Sequence, residues 1–166
     1  MKKWLIALLI IIVLSILNIS ILYRTQMPIY DIEPIDYNLT WNNDITKEEV
    51  IKHVNDHFKI KYFLHWKEHT DLNGLTFIYT HSVFLRKDMN PTQLGVTLAH
   101  ELCHIKYWSA NEAFVEFMAF KELYESNDTL LLYLAKYMIV IHCDIRAYKN
   151  TAYDIGYQIL NYLENI

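Results

Sequence analysis

Two histidines four residues apart, with a glutamate beside the first, can together bind a divalent cation and move a proton; His100-Glu101-Leu102-Cys103-His104 supplies that set. On a helix, positions i and i+4 share one face a turn apart, so two imidazole nitrogens can meet a single ion. At ~100° per residue, Leu94, Leu98, Leu102 and Ile105 fall on a ridge about 135° from the mean direction of His100 and His104. The ridge should pack and the histidines should face a cleft. Glu101 projects between the two directions, where a carboxylate can act as general base on an ion-activated water without being a ligand. Nitrogen and carboxylate donors in this arrangement suit Zn2+.

A catalytic zinc takes three protein ligands and keeps one position for water. The extended H-E-x-x-H-x-x-G-x-x-H pattern would supply a third histidine, but Tyr107 and Ala110 hold its last two fixed positions. The remaining candidates are Glu112 and Glu116, four apart on one stripe of the next helical segment. Ser109-Ala110-Asn111-Glu112 reads as a capping box, which gives Glu112 a structural task. Glu116 has no such task, and in a hairpin turning near Ser109 the level of the histidines is met about six residues into the partner helix. Glu116 is therefore the expected third ligand, with Glu112 as the alternative.

These residues need elements to hold them. Asn90-Pro91 offers an N-cap and a proline at the first helical position, opening a helix to about Tyr107. Before it, Thr46-Lys47-Glu48-Glu49 has the capping-box pattern, with Val50, Ile51, Val54 and Phe58 at helical spacing. Segments 60–66, 74–80 and 82–86 are rich in aromatic and β-branched residues and bounded by turn signals, so three short strands are expected. Three further helices are expected over 111–124, 128–141 and 151–163. The stretch 130–143 is strongly apolar but only 14 residues long and contains Lys136, which makes it a core helix and not a membrane span. The fold class expected over 46–166 is α+β: a helix, a small sheet, the histidine helix and a C-terminal helical cluster.

Residues 4–23 form a run of twenty without a charge, the length that crosses ~30 Å of hydrocarbon as a helix. Lys2 and Lys3 precede it and only Arg24 follows closely. The basic bias therefore puts the N-terminus in the cytoplasm and the rest outside, with residues 1–24 as a single-pass anchor in the cell membrane. The run exceeds a signal-peptide core and no A-x-A-like site closes it. Residues 25–45, with Pro28 and Pro34, are expected as a stalk or an arm wrapped on the domain. Hydrophobic residues make up 53% of the 166, enough for a packed core and too many for disorder. A net charge of −4 provides no basic surface for nucleic acid. Two cysteines, Cys103 and Cys143, are too few for a disulfide framework. Cys103 points away from the metal direction and is expected as a small buried thiol. His53 and His57 share i, i+4 spacing but lack any accompanying motif, and a half-exposed helix face accounts for them.

His100-Glu101-Leu102-Cys103-His104-Ile105-Lys106, followed by Asn111-Glu112-Ala113-Phe114-Val115-Glu116-Phe117-Met118-Ala119, resembles the gluzincin metallopeptidases, in which H-E-x-x-H is completed by a glutamate on the following helix. The first stretch is also similar to the corresponding helix of BlaR-type and HtpX-like membrane peptidases, which carry several membrane spans and a more distant third ligand. The short interval here is more like compact, minimal zincin domains. The resemblance implies a zincin-like fold and a zinc metalloendopeptidase, a hydrolase of peptides or proteins, with strand 82–86 as the edge that aligns an extended substrate. Zinc on His100, His104 and Glu116 would activate water, and Glu101 would take its proton. Tyr133, Tyr137, His142 and Tyr153 are the candidate oxyanion donors, among which the sequence does not choose. A catalytically silent zinc-binding sensor or partner-binding module on the same fold is the alternative, against which the intact Glu101 argues. A structural envelope protein with an accidental motif is a third reading.

Overall fold

Thr46 opens the first helix as expected. Its hydroxyl accepts from Glu49 N at 3.2 Å while the Glu49 carboxylate accepts from Thr46 N at 2.9 Å. Helix α1, Lys47–Phe58, buries Val50, Val54 and Phe58 and stops at Lys59, whose left-handed φ of 54° ends the turn. This is a computed structural model, and it describes residues 45–68, 71–143 and 152–166. The anchor expected over 1–24 and nearly all of the stalk expected over 25–45 lie outside the described residues. Among the described residues no helix is long and apolar enough to cross a membrane.

Three strands follow: β1, Phe63–Lys67; β2, Gly74–Phe77; and β3, Ser82–Arg86. The segment expected as one strand over 74–80 is shorter, because a 3-10 turn at Ile78–Thr80 and His81 at φ 51° reverse the chain. The strand order is β1-β3-β2, with β1 parallel and β2 antiparallel to β3. Strand 82–86 is therefore the centre of the sheet, which overturns its expected role as the substrate-facing edge. The hairpin folds back into the gap between β1 and β2, so Val83 and Leu85, both fully buried, come to lie under the helices. Among the described residues β1 and β2 are the outer strands of the sheet.

Helix α2, Pro91–Lys106, starts with reciprocal hydrogen bonds between Asn90 and Gln93. It is the central helix, touching β2, β3, α1, and two later helices: α3, Glu112–Tyr124, and α4, Thr129–Cys143. The ridge Leu94, Leu98, Leu102 and Ile105 is buried, as its spacing predicts. Gly95 lets two helices close on α2 at once: a Cβ there would stand 2.5 Å from Val50 Cγ1 and 2.7 Å from Leu134 Cδ1. Asp128 caps α4, accepting from Leu130 N at 2.8 Å and Leu131 N at 3.2 Å. The apolar stretch expected as a core helix buries Leu131, Leu134, Ala135, Met138 and Ile139. Helix α5, Ala152–Glu164, adds Ile155 and Ile159 to the core. The described residues form an α+β fold of five helices and a three-stranded sheet.

Candidate metal centre

Only two residues follow His104 before α2 ends, so the return helix begins almost level with it. Trp108, at φ 50°, turns the chain, and Ser109 N donates to the His104 carbonyl at 3.2 Å. Asn111, not Ser109, caps α3: its side chain accepts from Phe114 N at 3.0 Å, while Ser109 Oγ accepts from Asn111 N at 3.1 Å. The capping box expected between Ser109 and Glu112 does not form. Glu112 instead becomes the first residue of α3, free of any capping task and opposite His104.

Three donor atoms converge there. His100 Nε2 and His104 Nε2 are 3.1 Å apart, and Glu112 Oε2 lies 3.1 Å from the first and 3.6 Å from the second. These residues form a group that could hold a metal ion. The expected third ligand, Glu116, sits elsewhere: its Oε2 takes the hydrogen bond of His100 Nδ1, on another side of the ring, and its Oε1 pairs with His142 Nε2 at 2.6 Å. The expectation counted about six residues into the partner helix from a turn near Ser109; the return helix instead begins level with His104, so its first residue, Glu112, meets the nitrogens and Glu116 lies one turn beyond.

The donor set fits a four-coordinate metal ion on two counts. A tetrahedral ion with bonds of ~2.0–2.1 Å separates its ligand atoms by about 3.3 Å, close to all three separations observed here. Both Nδ1 atoms are also committed to acceptors, since His104 Nδ1 donates to the Ser109 carbonyl at 2.7 Å and His100 Nδ1 to Glu116. Each ring then turns its Nε2 lone pair into the shared space beside a carboxylate, an arrangement that calls for a positive charge.

The electrostatics agree. Burial favours a neutral His100, but the hydrogen bond to Glu116 and the carboxylates of Glu101, Glu112 and Glu116 push it up to about 9. Burial also opposes the Glu116 charge, yet hydrogen bonds from His100 and His142 hold its carboxyl down at about 2. In Glu101 burial prevails and raises the carboxyl above its ordinary value, against the pull of Thr76 and the two histidines. A base poised higher than a free carboxylate is better matched to water as its acid.

Glu101 is buried and held against the sheet. Thr76 Oγ1 donates to its main-chain carbonyl at 3.2 Å, and Gly74 gives its side chain room: a Cβ at 74 would meet Glu101 Cδ at 2.9 Å and Thr97 Cγ2 at 2.7 Å. The open cleft alongside, about 360 Å³, runs from Gly74 and Thr97 past Glu101 to Tyr137, Ile141 and His142 on α4. Among the described residues no lysine or arginine lines it. Of the candidate oxyanion donors, Tyr137 and His142 line the cleft, Tyr133 packs against the core, and Tyr153 has no described side chain. Sequence reasoning missed the pairing of His142 with Glu116, because nothing in spacing along one helix signals a contact 26 residues away.

His53, His57 and the Cys103 thiol have structural roles. His53 pairs with Asp128 at 2.5 Å and His57 with Glu122 at 3.0 Å, tying α1 to α3 and to the cap of α4. Glu122 also takes hydrogen bonds from Lys106 and Tyr107. Cys103 is a free, fully buried thiol whose ionisation burial pushes far up, so it is inert. Comparison with protein-family models, curated proteins and solved structures gave no match.

Proposed function

We propose that the chain is a zinc-dependent peptidase, with His100, His104 and Glu112 as metal ligands and Glu101 as general base. The observation that carries the reading is the convergence of two Nε2 atoms and one carboxylate at tetrahedral-edge distances beside a buried glutamate. Zinc held there would polarise a scissile carbonyl and lower the pKa of a bound water toward ~7. Glu101 takes the proton from the attacking water and delivers it to the leaving amine, a role its raised proton affinity favours. The outer strand β2, next to Glu101 and unpaired on one side among the described residues, is the place where an extended peptide can pair. The twenty uncharged residues near the N-terminus support attachment to the cell membrane with the domain outside.

The test is metal analysis of the purified full chain alongside peptide hydrolysis. About one zinc per chain, lost in His104→Ala and in Glu112→Ala, with hydrolysis abolished but zinc kept in Glu101→Gln, is the expected outcome. Zinc-free wild-type protein would sink the metal reading, and hydrolysis surviving Glu101→Gln would sink the mechanism.

A further inference from the structure

Two groups beside the metal centre have no part in the reaction outlined above, yet both are largely withdrawn from water. The side chains of Glu116 and His142 are 15% and 12% exposed; they are bonded to each other, and Glu116 is bonded to His100. We propose that Glu116 and His142 are positioning residues, forming a hydrogen-bonded line from α4 through α3 to α2 that holds the His100 imidazole with Nε2 facing Glu112 and His104. The inference rests on the metal-site reading and adds to it what fixes the ligand.

An imidazole used as a ligand must present one nitrogen bare and in a set ring plane, and the partner of its other nitrogen decides both. His104 gets that partner from the main chain, because the carbonyl of Ser109 lies in the same tight turn. His100 sits a full turn earlier on α2, and its Nδ1 partner is a side chain of the facing helix, Glu116 Oε2. A glutamate has three rotatable bonds and cannot orient a ring unless it is itself held. The second oxygen supplies the hold: Oε1 pairs with His142 Nε2 at 2.6 Å, from the last turn of α4. With one oxygen on each imidazole, the carboxylate is fixed in plane and its charge is stabilised, which is why its proton affinity is so low. Both Glu116 oxygens are thus engaged away from the Nε2 atoms, the disposition of an orienting carboxylate and not of a ligand.

Glu116→Gln separates the roles, because it keeps the shape while offering only one acceptor oxygen to two N–H donors. The full chain, in wild type, Glu116→Gln, His142→Phe, His142→Gln and Glu112→Gln forms, is titrated with Zn2+ against a chromophoric chelator and with Co2+ read by its visible absorption. Glu116→Gln is expected to retain one metal at saturation and the wild-type Co2+ band shape while zinc affinity falls about 10–100-fold. His142→Phe is expected to weaken zinc by a smaller factor, and His142→Gln, which restores an N–H donor, to recover part of that loss. Glu112→Gln should change the Co2+ band itself, since a ligand is altered. Affinity within twofold of wild type in Glu116→Gln would overturn the proposal. So would a Co2+ band changed in Glu116→Gln but unchanged in Glu112→Gln, which would make Glu116 the ligand. Metal-free wild-type protein would instead bring down the site reading itself.

Discussion

Gly74 is the residue whose substitution tests how the sheet places Glu101, the proposed general base. An added methyl at this position would stand 2.9 Å from Glu101 Cδ and 2.7 Å from Thr97 Cγ2, and closer still to a carboxylate oxygen. Carbon atoms in comfortable contact are ~3.5–4.0 Å apart, so something must give by about 1 Å. Strand β2 is tied to β3 along its length and to α2 through Thr76 and the Glu101 carbonyl, so the side chain of Glu101 is the part that yields. A displacement of about 1 Å at a catalytic group costs on the order of 10²-fold in rate, or about 2.7 kcal/mol of transition-state stabilisation. Gly74→Ala is therefore expected to lower kcat about 10²-fold while leaving zinc content unchanged, since the atoms the new methyl meets first belong to Glu101 and Thr97 and not to the proposed ligands. Steady-state kinetics on a peptide substrate, with metal analysis and a thermal melt on the same preparation, measure this. Wild-type kcat in a Gly74→Ala protein that holds its zinc would refute the argument that Glu101 is placed by its packing on β2.

Two further expectations follow from the packing and the charges. Gly95→Ala should destabilise the domain by about 1–3 kcal/mol, partly offset by up to ~1 kcal/mol of helix propensity, because its methyl collides with Val50 and Leu134 on two different helices. A denaturant midpoint that falls at constant slope would show it, and an unchanged midpoint would mean α1 and α4 can move apart freely. Burial raises the Glu122 carboxyl, but hydrogen bonds from Lys106, Tyr107 and His57 outweigh it and leave the value below that of a free glutamate. A depressed carboxylate contributes stability that is present above its unfolded value of ~4.3 and lost as pH falls through the folded one. Glu122→Gln should accordingly flatten the acid limb of the stability curve, and an acid limb identical to wild type would place the destabilising protonation elsewhere.

Periodicity and capping chemistry explain why so much of the scaffold could be read from the chain. Thr46 with Glu49, and Asn90 with Pro91 and Gln93, are local signals, satisfied by hydrogen bonds spanning three residues, and both helices begin where those signals stand. The Leu94, Leu98, Leu102 and Ile105 ridge is likewise a one-helix property, and it is buried. Which carboxylate faces the two histidines was harder to read. Ser109 and Asn111 are both competent caps, and the choice between them depends on how Trp108 turns under α2, which moves the start of α3 by a few residues and exchanges the places of Glu112 and Glu116. The edge strand failed for a related reason: hydrophobic alternation marks Ser82–Arg86 as a strand but is silent on which neighbours it takes.

The sequence alone determined that His100 and His104 share a face with Glu101 beside them, because 3.6 residues per turn makes that a consequence of spacing. Only the tertiary structure decided that Glu112 meets their Nε2 atoms, that Glu116 joins His100 to His142, and that Gly74 admits Glu101 against the sheet. Each of those depends on where separate elements stop and cross, and a shift of one helical turn at a loop exchanges one side chain for another without altering any local pattern.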